Sequence, residues 1–582
     1  MRSARRCRRS RSAATVNAVP PLDPSPDEAA PADRRWQWLA LAIAALAILA
    51  RVWVEWTTHS TAEDFLISLR YAENLAAGRG FVFNPGEHVL GTTTPLYTLL
   101  LALAAWLHLN AALVGKALNI LADGGTCYLL ARLLARPEIR QPVAGLFAAT
   151  LYAFSSTPIN ISISGMESAL VTCVCLAAIL AYVARRSLAL YVLGAVLFLL
   201  RIDGLLLFAL LALGLALQER RIPWRALAVA VLLALPWVIF ANAYFGSPIP
   251  TSFLAKITVY AHGVTPEWVN RPVFVTQFLG GWFQILLTLL FLLGAVRICV
   301  SVYQLLASRR NHPLASRARA TEDTETRHRE KQREIQEEAG ACRKASAADL
   351  SGGSTQRKTD SPSPYEGEGD RGGEALLIPL LWLSIYYGTM LTSHVPAFAW
   401  YFLPPWPVYL GIAALAASWV VRWIARGLPS SMVRPMRHAW APALLIFGLF
   451  GVAHLPSIRR DIARTQRQED SLRVPLGLWL RAHVAPNEKI LLEPIGYVGY
   501  YSHRPILDMI GLVSPEVLPS YHTSRALYDI IQRLHPAWLC LRPSEVQVLK
   551  QEGMPLPDAE YAYVREFHVP GRRPDFLLFH RR

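Results

Sequence analysis

A polytopic α-helical membrane protein with a small α/β domain outside the bilayer is the fold class this sequence predicts, on three observations. Hydrophobic residues make up 53% of the 582 residues and charged residues only 17%, less charge than a water-soluble chain of this size carries. The apolar residues gather in blocks of about 15–25, the length that crosses about 30 Å of hydrocarbon. Threaded in order, these blocks put every Arg cluster between spans on one side and only single Arg residues on the other, as the positive-inside rule requires. Those flanking clusters account for most of the net charge of +16, so no nucleic-acid partner is expected. The seven cysteines show no metal-ligand spacing. Cys173 and Cys175, one residue apart in an apolar run, read as small lipid-buried residues.

The chain opens with a basic, Pro-rich stretch, 1–35, that has no apolar core. It reads as a disordered cytoplasmic tail and not as a cleaved signal peptide. The first span, about 36–54, carries the chain outward, with Arg51 near its outer end, placed to snorkel to the interface. The apolar run at 95–109 is short for a span, so 62–108 reads as interfacial helices and 111–134 as the second span. Further spans follow at about 141–158, 167–184, 187–201, 203–218, 226–243, 275–298, 375–391, 401–420 and 439–455, about eleven in all. The transmembrane module 36–307 is thus separated from the remaining helices, 375–455, by residues 308–374. That segment is mixed-charge, Gly/Ser/Pro-rich and nearly free of aliphatics, a disordered cytoplasmic insertion. The last part, 456–582, reads as a small α/β domain, with "EKILLEPIGYVGYY" and "AWLCLRP" as buried strands and "RALYDIIQRLH" as a helix. Parity places the N-terminus in the cytoplasm and this domain outside the plasma (inner) membrane.

Polar residues that neither lipid nor packing asks for mark the candidate site. In "AEDFLISLRYAENLAAGRG" (62–80), helical spacing puts Phe65, Leu66, Leu69, Ala72, Leu75 and Ala76 on one face and Asp64, Ser68, Tyr71 and Asn74 on another. Thr61 and Asp64 have capping-box spacing, and Glu63 and Asp64 suit the dipole of a first turn. Glu167 stands at the lip of a span after "SSTPINISISGM". Lys116 and Asp123 lie seven residues apart inside a span; they either pair with each other or face a polar cavity. Arg201 and Asp203 in "LLRIDGLL" either pair at an outer turn or present the Arg. Lys256 in "NAYFGSPIPTSFLAK" and His394, Trp400 and Tyr401 in "SHVPAFAWYFLPPWP" occupy further outer loops, where the aromatics equally suit an interfacial belt. Carboxylates that accept a hydroxyl proton, beside cations that stabilise a departing phosphate, would together serve one chemistry at the membrane surface.

Five stretches, in order, resemble the C-type (GT-C) membrane glycosyltransferases, nearest the branch that includes the mycobacterial terminal arabinofuranosyltransferase. They are "EDFLISLRYAENLAAGRGFVFNPGEHVLGTTTPLYTLLLAL", "SGMESAL", "RIDGLLL", "YFGSPIPTSFLAK" and "IGYVGYYSHRPILDMIGLVSPE". The likeness covers most of 36–295 and 380–520 and leaves out the 308–374 insertion. It implies an inverting transferase with a polyprenyl-phosphate sugar donor and a glycan, lipid or protein acceptor on the outer face of the membrane. By position it implies Asp64 as base, Glu63 beside it and Glu167 orienting a substrate. Lys116, Arg201 and Lys256, with Arg70 of the Leu-Arg-Tyr-Ala run, are the implied phosphate contacts. His394, Trp400, Tyr401, Tyr500 and His503 are candidates for the sugar or acceptor. The sequence departs from the family pattern at Glu63, often Asp there, at 87–93, which has lost an acid and a Tyr, and at "RIDG", which lacks a Pro.

No cofactor is expected, because cationic side chains suffice for a monophosphate leaving group, although the paired acids would also suit a divalent metal. Two other readings remain open. A transporter or polymerase of lipid-linked glycan shares the many spans and outer cations but needs a continuous polar path across the bilayer. A non-catalytic scaffold would use the outer domain to bind a glycan or partner.

Overall fold

The computed structural model describes residues 26–260, 269–307, 371–429, 432, 439–569 and 573–582. Helix α1 (Pro26–Thr58) starts within the predicted tail; residues 1–25 and 308–370, the bulk of the two segments read as disordered, lie outside the described residues. After α1 come two short helices, α2 (Glu63–Ala76) and α3 (Pro95–Trp106), at the positions predicted for interfacial helices. The membrane half continues through α4 (Ala111–Ala135), α5 (Pro142–Phe154), α6 (Ser156–Ile163), α7 (Ser168–Val183), α8 (Ser187–Leu200), α9 (Gly204–Glu219) and α10 (Trp224–Phe245). It closes with α11 (Thr251–Val259), α12 (Arg271–Leu279), α13 (Trp282–Ala307), α14 (Arg371–Thr392), α15 (Trp406–Arg426) and α16 (Trp440–His483).

Among the described residues, six helices are long and apolar enough to cross a bilayer, or seven if the pair α5–α6 is one bent span. The expected eleven are not all of that length. α7, α8 and α9 are shorter apolar helices, and α5 turns by 57° into α6 after Phe154. Two further boundaries move for local reasons. The span predicted from 275 begins at Trp282, because Gly280 and Gly281 break the chain after α12. The span predicted to end at 455 runs on as α16 to His483, carrying the chain from the helical bundle into the C-terminal domain on one helix.

Two ionisable residues in the spans also behave differently from expectation. Arg51 does not snorkel: it is fully buried, and its guanidinium pairs with Asp123. It also donates to the carbonyls of Ala47 and Ala153, while the Tyr152 hydroxyl donates to the same Asp123 carboxylate. Asp123 is thereby taken from Lys116, whose ammonium bonds instead to Glu55 at 2.8 Å. Buried charges persist in such places only when paired and hydrogen-bonded.

The C-terminal domain, predicted to lie outside the bilayer, is a five-stranded sheet in the order β2-β1-β3-β5-β4, with β1 (Ile490–Leu492), β2 (Ile506–Asp508), β3 (Trp538–Leu541), β4 (Tyr561–Phe567) and β5 (Phe576–Arg581). β1 runs parallel to both β2 and β3; β3–β5 and β5–β4 are antiparallel. The predicted strands at 490 and 538 and the helix at 526–534 are present. The second half of "EKILLEPIGYVGYY" is not strand: Gly496–Ser502 forms helix α17. Pro494 ends the strand and the small Gly496 and Gly499 let the helix lie close on α2. A Cβ at Gly496 would sit 2.1 Å from the Glu63 carbonyl oxygen. One hydrophobic cluster fuses the halves, joining Ile67 and Tyr71 of α2 and Phe81 and Phe83 of the following loop to Leu476, Leu480, Ile490 and Val498.

Candidate active site

α2 starts where the chain leaves α1, so its first turn lies at the outer edge of the apolar bundle. Asp64, Ile67 and Ser68, spaced by three and four residues, fall on one side of it and line a cavity of about 480 Å³. Four other segments close that cavity: the loop Gly91–Thr94, Met166 and Glu167 before α7, the Arg201–Asp203 turn between α8 and α9, and Ser252 to Ile257 on α11. A further wall is Thr389 to Tyr401, with Leu512 of the C-terminal domain as a lid. Thus Asp64, Glu167, Arg201, Lys256, Trp400 and Tyr401, far apart in sequence, share one cavity.

Arg201 is held from two sides. Its Nε and Nη2 form a two-pronged bond to the Asp203 carboxylate, both at 3.0 Å, and its Nη1 donates to Glu167 at 2.8 Å. The Tyr386 hydroxyl donates to Asp203 at 3.2 Å, and the guanidinium stands over the Tyr401 ring at 5.4 Å. The two sequence alternatives for Arg201 both hold: it pairs with Asp203 and it faces the cavity. Lys256 is different. Among the described residues no carboxylate lies within ion-pair distance of its Nζ, which contacts the Tyr401 hydroxyl at 3.4 Å. Burial alone would lower its pKa, yet the Tyr401 oxygen and the Asp64 charge outweigh burial and hold the ammonium above its ordinary value. A free, fully charged ammonium therefore faces the same space as Asp64.

α11 contributes two further features. Ser252 is buried and its hydroxyl has no hydrogen-bond partner among the described residues. Phe253 and Ile257 line the cavity and are each nearly half exposed on its outer flank. One side of the cavity is thus polar and the other is a half-exposed apolar flank.

Glu63, the neighbour of Asp64, points elsewhere. It accepts from the backbone N–H groups of Gly496 and Tyr497 and pairs with Arg473 at 3.0 Å. Burial pushes its carboxyl up to about 7, against the pull of Arg473 and the Gly496 N–H. Lys116 sits away from the cavity, bonded to Glu55 and Thr61. Arg70 is also outside it: buried on the far side of α2, it donates to the carbonyls of Phe83, Gly499 and Arg504 and lies over the Phe83 ring. His394 does not line the cavity although its neighbours Ser393 and Val395 do. Tyr500 donates to Glu73 at 2.6 Å, and His503 ends α17, both apart from the cavity.

Sequence reasoning missed three contributors. Ser68, Thr92, Thr94 and Thr98 form a chain of hydroxyl contacts at 3.1–3.5 Å behind the Asp64 turn; the signal was the run "GTTTP". Tyr386, whose hydroxyl donates to Asp203, steadies the Arg201–Asp203 pair that the sequence already offered. Asp508, at the end of β2, accepts from the backbone of Ile510, Leu512 and Val513 and so folds the loop that lays Leu512 over the cavity. No three His, Cys, Asp or Glu side chains among the described residues converge as a metal centre would need.

Comparison with known proteins places the chain by sequence and by fold. Residues 459–579 match a domain of unknown function (DUF8728). The chain is 30% identical over 273 residues to the terminal β-(1→2)-arabinofuranosyltransferase of Mycobacterium tuberculosis (strain ATCC 25618 / H37Rv), a match covering 41% of each protein. The chain thus spans well under two thirds of that relative's length. ArnT from Cupriavidus metallidurans, solved bound to undecaprenyl phosphate and in the apo state, superposes with a TM-score of 0.50 in both cases. The bound form covers 92% of this chain and 97% of ArnT at 12% identity, the apo form 94% and 98% at 11%. At that identity the likeness shows the fold. This chain is a multi-pass membrane protein with an ArnT-like fold, and over 273 residues it is similar in sequence to the mycobacterial arabinofuranosyltransferase.

Proposed function

We propose that this protein is an inverting glycosyltransferase that moves a sugar from a polyprenyl-phosphate donor to an acceptor hydroxyl on the outer face of the membrane. The observation that carries the reading is a carboxylate, Asp64, sharing a cavity with an ammonium, Lys256, that no carboxylate pairs among the described residues, beside an apolar opening on α11. The transferase name of the mycobacterial relative and the undecaprenyl phosphate in the ArnT structure support it.

In the proposed reaction the Asp64 carboxylate takes the proton of the acceptor hydroxyl. The freed oxygen attacks the anomeric carbon, and the bond from that carbon to the phosphate oxygen breaks on the opposite face. The electron pair leaves with the polyprenyl phosphate, whose added charge meets Lys256, with Ser252 as a hydroxyl donor. Glu167 and Asp203 hold Arg201 at the wall so that its charge contributes without the side chain wandering. The prenyl chain leaves past Phe253 and Ile257. These residues bring enough positive charge for a monophosphate, so chelation is expected to leave turnover unchanged.

The test is transfer by purified protein in nanodiscs from a panel of polyprenyl-phosphate sugars, with the product's anomeric configuration read by NMR. An inverted product supports single displacement. A product that keeps the donor's configuration contradicts it, and vesicle flipping without bond formation would favour the transporter reading.

A further inference from the structure

A second cavity, of about 600 Å³, lies on the other side of Met166 and Trp400, which line both cavities. Its walls are the α1–α2 linker, α6 and the stretch of α16 that rises from the lipid, and they differ in kind from those of the Asp64 cavity. Ser156, Thr157, Asn160 and Thr465 bring hydroxyl and amide groups, and Asp461 brings a carboxylate. No hydrogen bond or ion pair engages the side chains of Asn160 and Asp461 among the described residues. The charge balance is also different. Three carboxyls, Glu63, Asp461 and Glu469, line this cavity with one guanidinium, Arg473, and that guanidinium is already shared by Glu63 at 3.0 Å and Glu469 at 2.9 Å. His454 and Tyr497 also stand on the wall.

We infer that this second cavity binds the acceptor, and that the acceptor is an uncharged, hydroxyl-rich saccharide; the inference rests on the transferase reading above. A free amide both donates to and accepts from sugar hydroxyls, and a carboxylate accepts strongly from them. The Trp400 ring, stacked on Phe398 at 4.6 Å, offers a flat apolar face to a sugar ring and stands where the two cavities meet. A phosphorylated or carboxylated acceptor would meet three carboxyls against one guanidinium already shared by two of them, and would be repelled. Anionic and neutral substrates are thereby sorted: the donor phosphate to the Lys256 side, the neutral acceptor to the Asp461 side. The acceptor hydroxyl reaches Asp64 past the Met166–Trp400 wall.

The experiment measures binding by the full-length protein in nanodiscs. The probes are a neutral octyl arabinofuranosyl disaccharide, the same disaccharide bearing one phosphate, and undecaprenyl phosphate. Binding of each saccharide is read by saturation-transfer NMR, and undecaprenyl phosphate by its shift of the unfolding midpoint. The expected result is that the neutral disaccharide binds more tightly than its phosphate. The double variant Asn160→Ala/Asp461→Ala should raise its Kd about tenfold or more, as the loss of two hydrogen bonds, one charge-assisted, requires, while the shift by undecaprenyl phosphate persists. Both substitutions fall on exposed side chains, so folding is retained. Tighter binding of the phosphorylated probe, or an unchanged Kd in the variant, overturns the assignment while leaving the transferase reading intact. If undecaprenyl phosphate also has no effect on the wild type, the transferase reading falls with it.

Discussion

Glu63 and Asp64 are adjacent in sequence and do different work. Asp64 faces the cavity with Lys256, whereas Glu63 is spent on the α17 backbone and Arg473. Burial raises the Glu63 carboxyl to about 7 from an ordinary 4.5. A raised carboxyl favours folding in its neutral form, so the stability it adds is complete below pH 4.5 and is lost as pH rises through 7. The amount is about 2–3 kcal/mol. The unfolding midpoint of the wild type should therefore fall across pH 4.5–7, and Glu63→Gln should flatten that part of the slope; an equal slope in both proteins would count against it. Lys256 supports a second expectation at this scale. Lys256→Met removes the unneutralised ammonium and should raise the donor KM about tenfold or more, measured by steady-state transfer, with the acceptor KM little changed.

α2 is the element on which the two halves meet. One side carries Asp64 to the cavity; the opposite side carries Arg70 into a cage of carbonyls from the 83 loop and the outer domain. Arg70→Met leaves those buried acceptors unpaired and should cost about 2–5 kcal/mol, seen as a lower unfolding midpoint. Donor KM should not move, since Arg70 does not touch the cavity. This division explains what the sequence could and could not convey. Helical periodicity showed that 62–80 is an amphipathic helix and that Asp64 lies on its polar side. It could not show that the polar side is itself split, because Arg70 finds its partners at residues 499 and 504, more than four hundred positions away. The same holds for Lys116, which looked like the partner of Asp123 by spacing along one helix. Each instead found a nearer opposite charge on α1, Glu55 and Arg51.

At the scale of the whole molecule, the bundle's apolar blocks were legible because burial in lipid imposes a length, and the outer sheet because its strands are short runs of apolar residues. The span count was less so, since α7, α8 and α9 are each 16 residues or shorter. Such helices tilt or pack among longer neighbours, and length alone does not say which of them cross. Motifs in the loops were the best guide to the site. Glu167, Arg201, Lys256 and Tyr401 come from four separate segments, and the fold gathers all of them around Asp64. Asp508 and Leu512 were not foreseen, because they act through a sheet whose strand edge has to be seen against the bundle. The account as a whole depends on Asp64 being the base. The direct measurement is sugar transfer by the wild type and by Asp64→Asn, with undecaprenyl-phosphate binding as the check on folding. The account predicts that binding survives and that transfer falls by about 10²–10⁴-fold; transfer at the wild-type rate in a folded Asp64→Asn protein would contradict it.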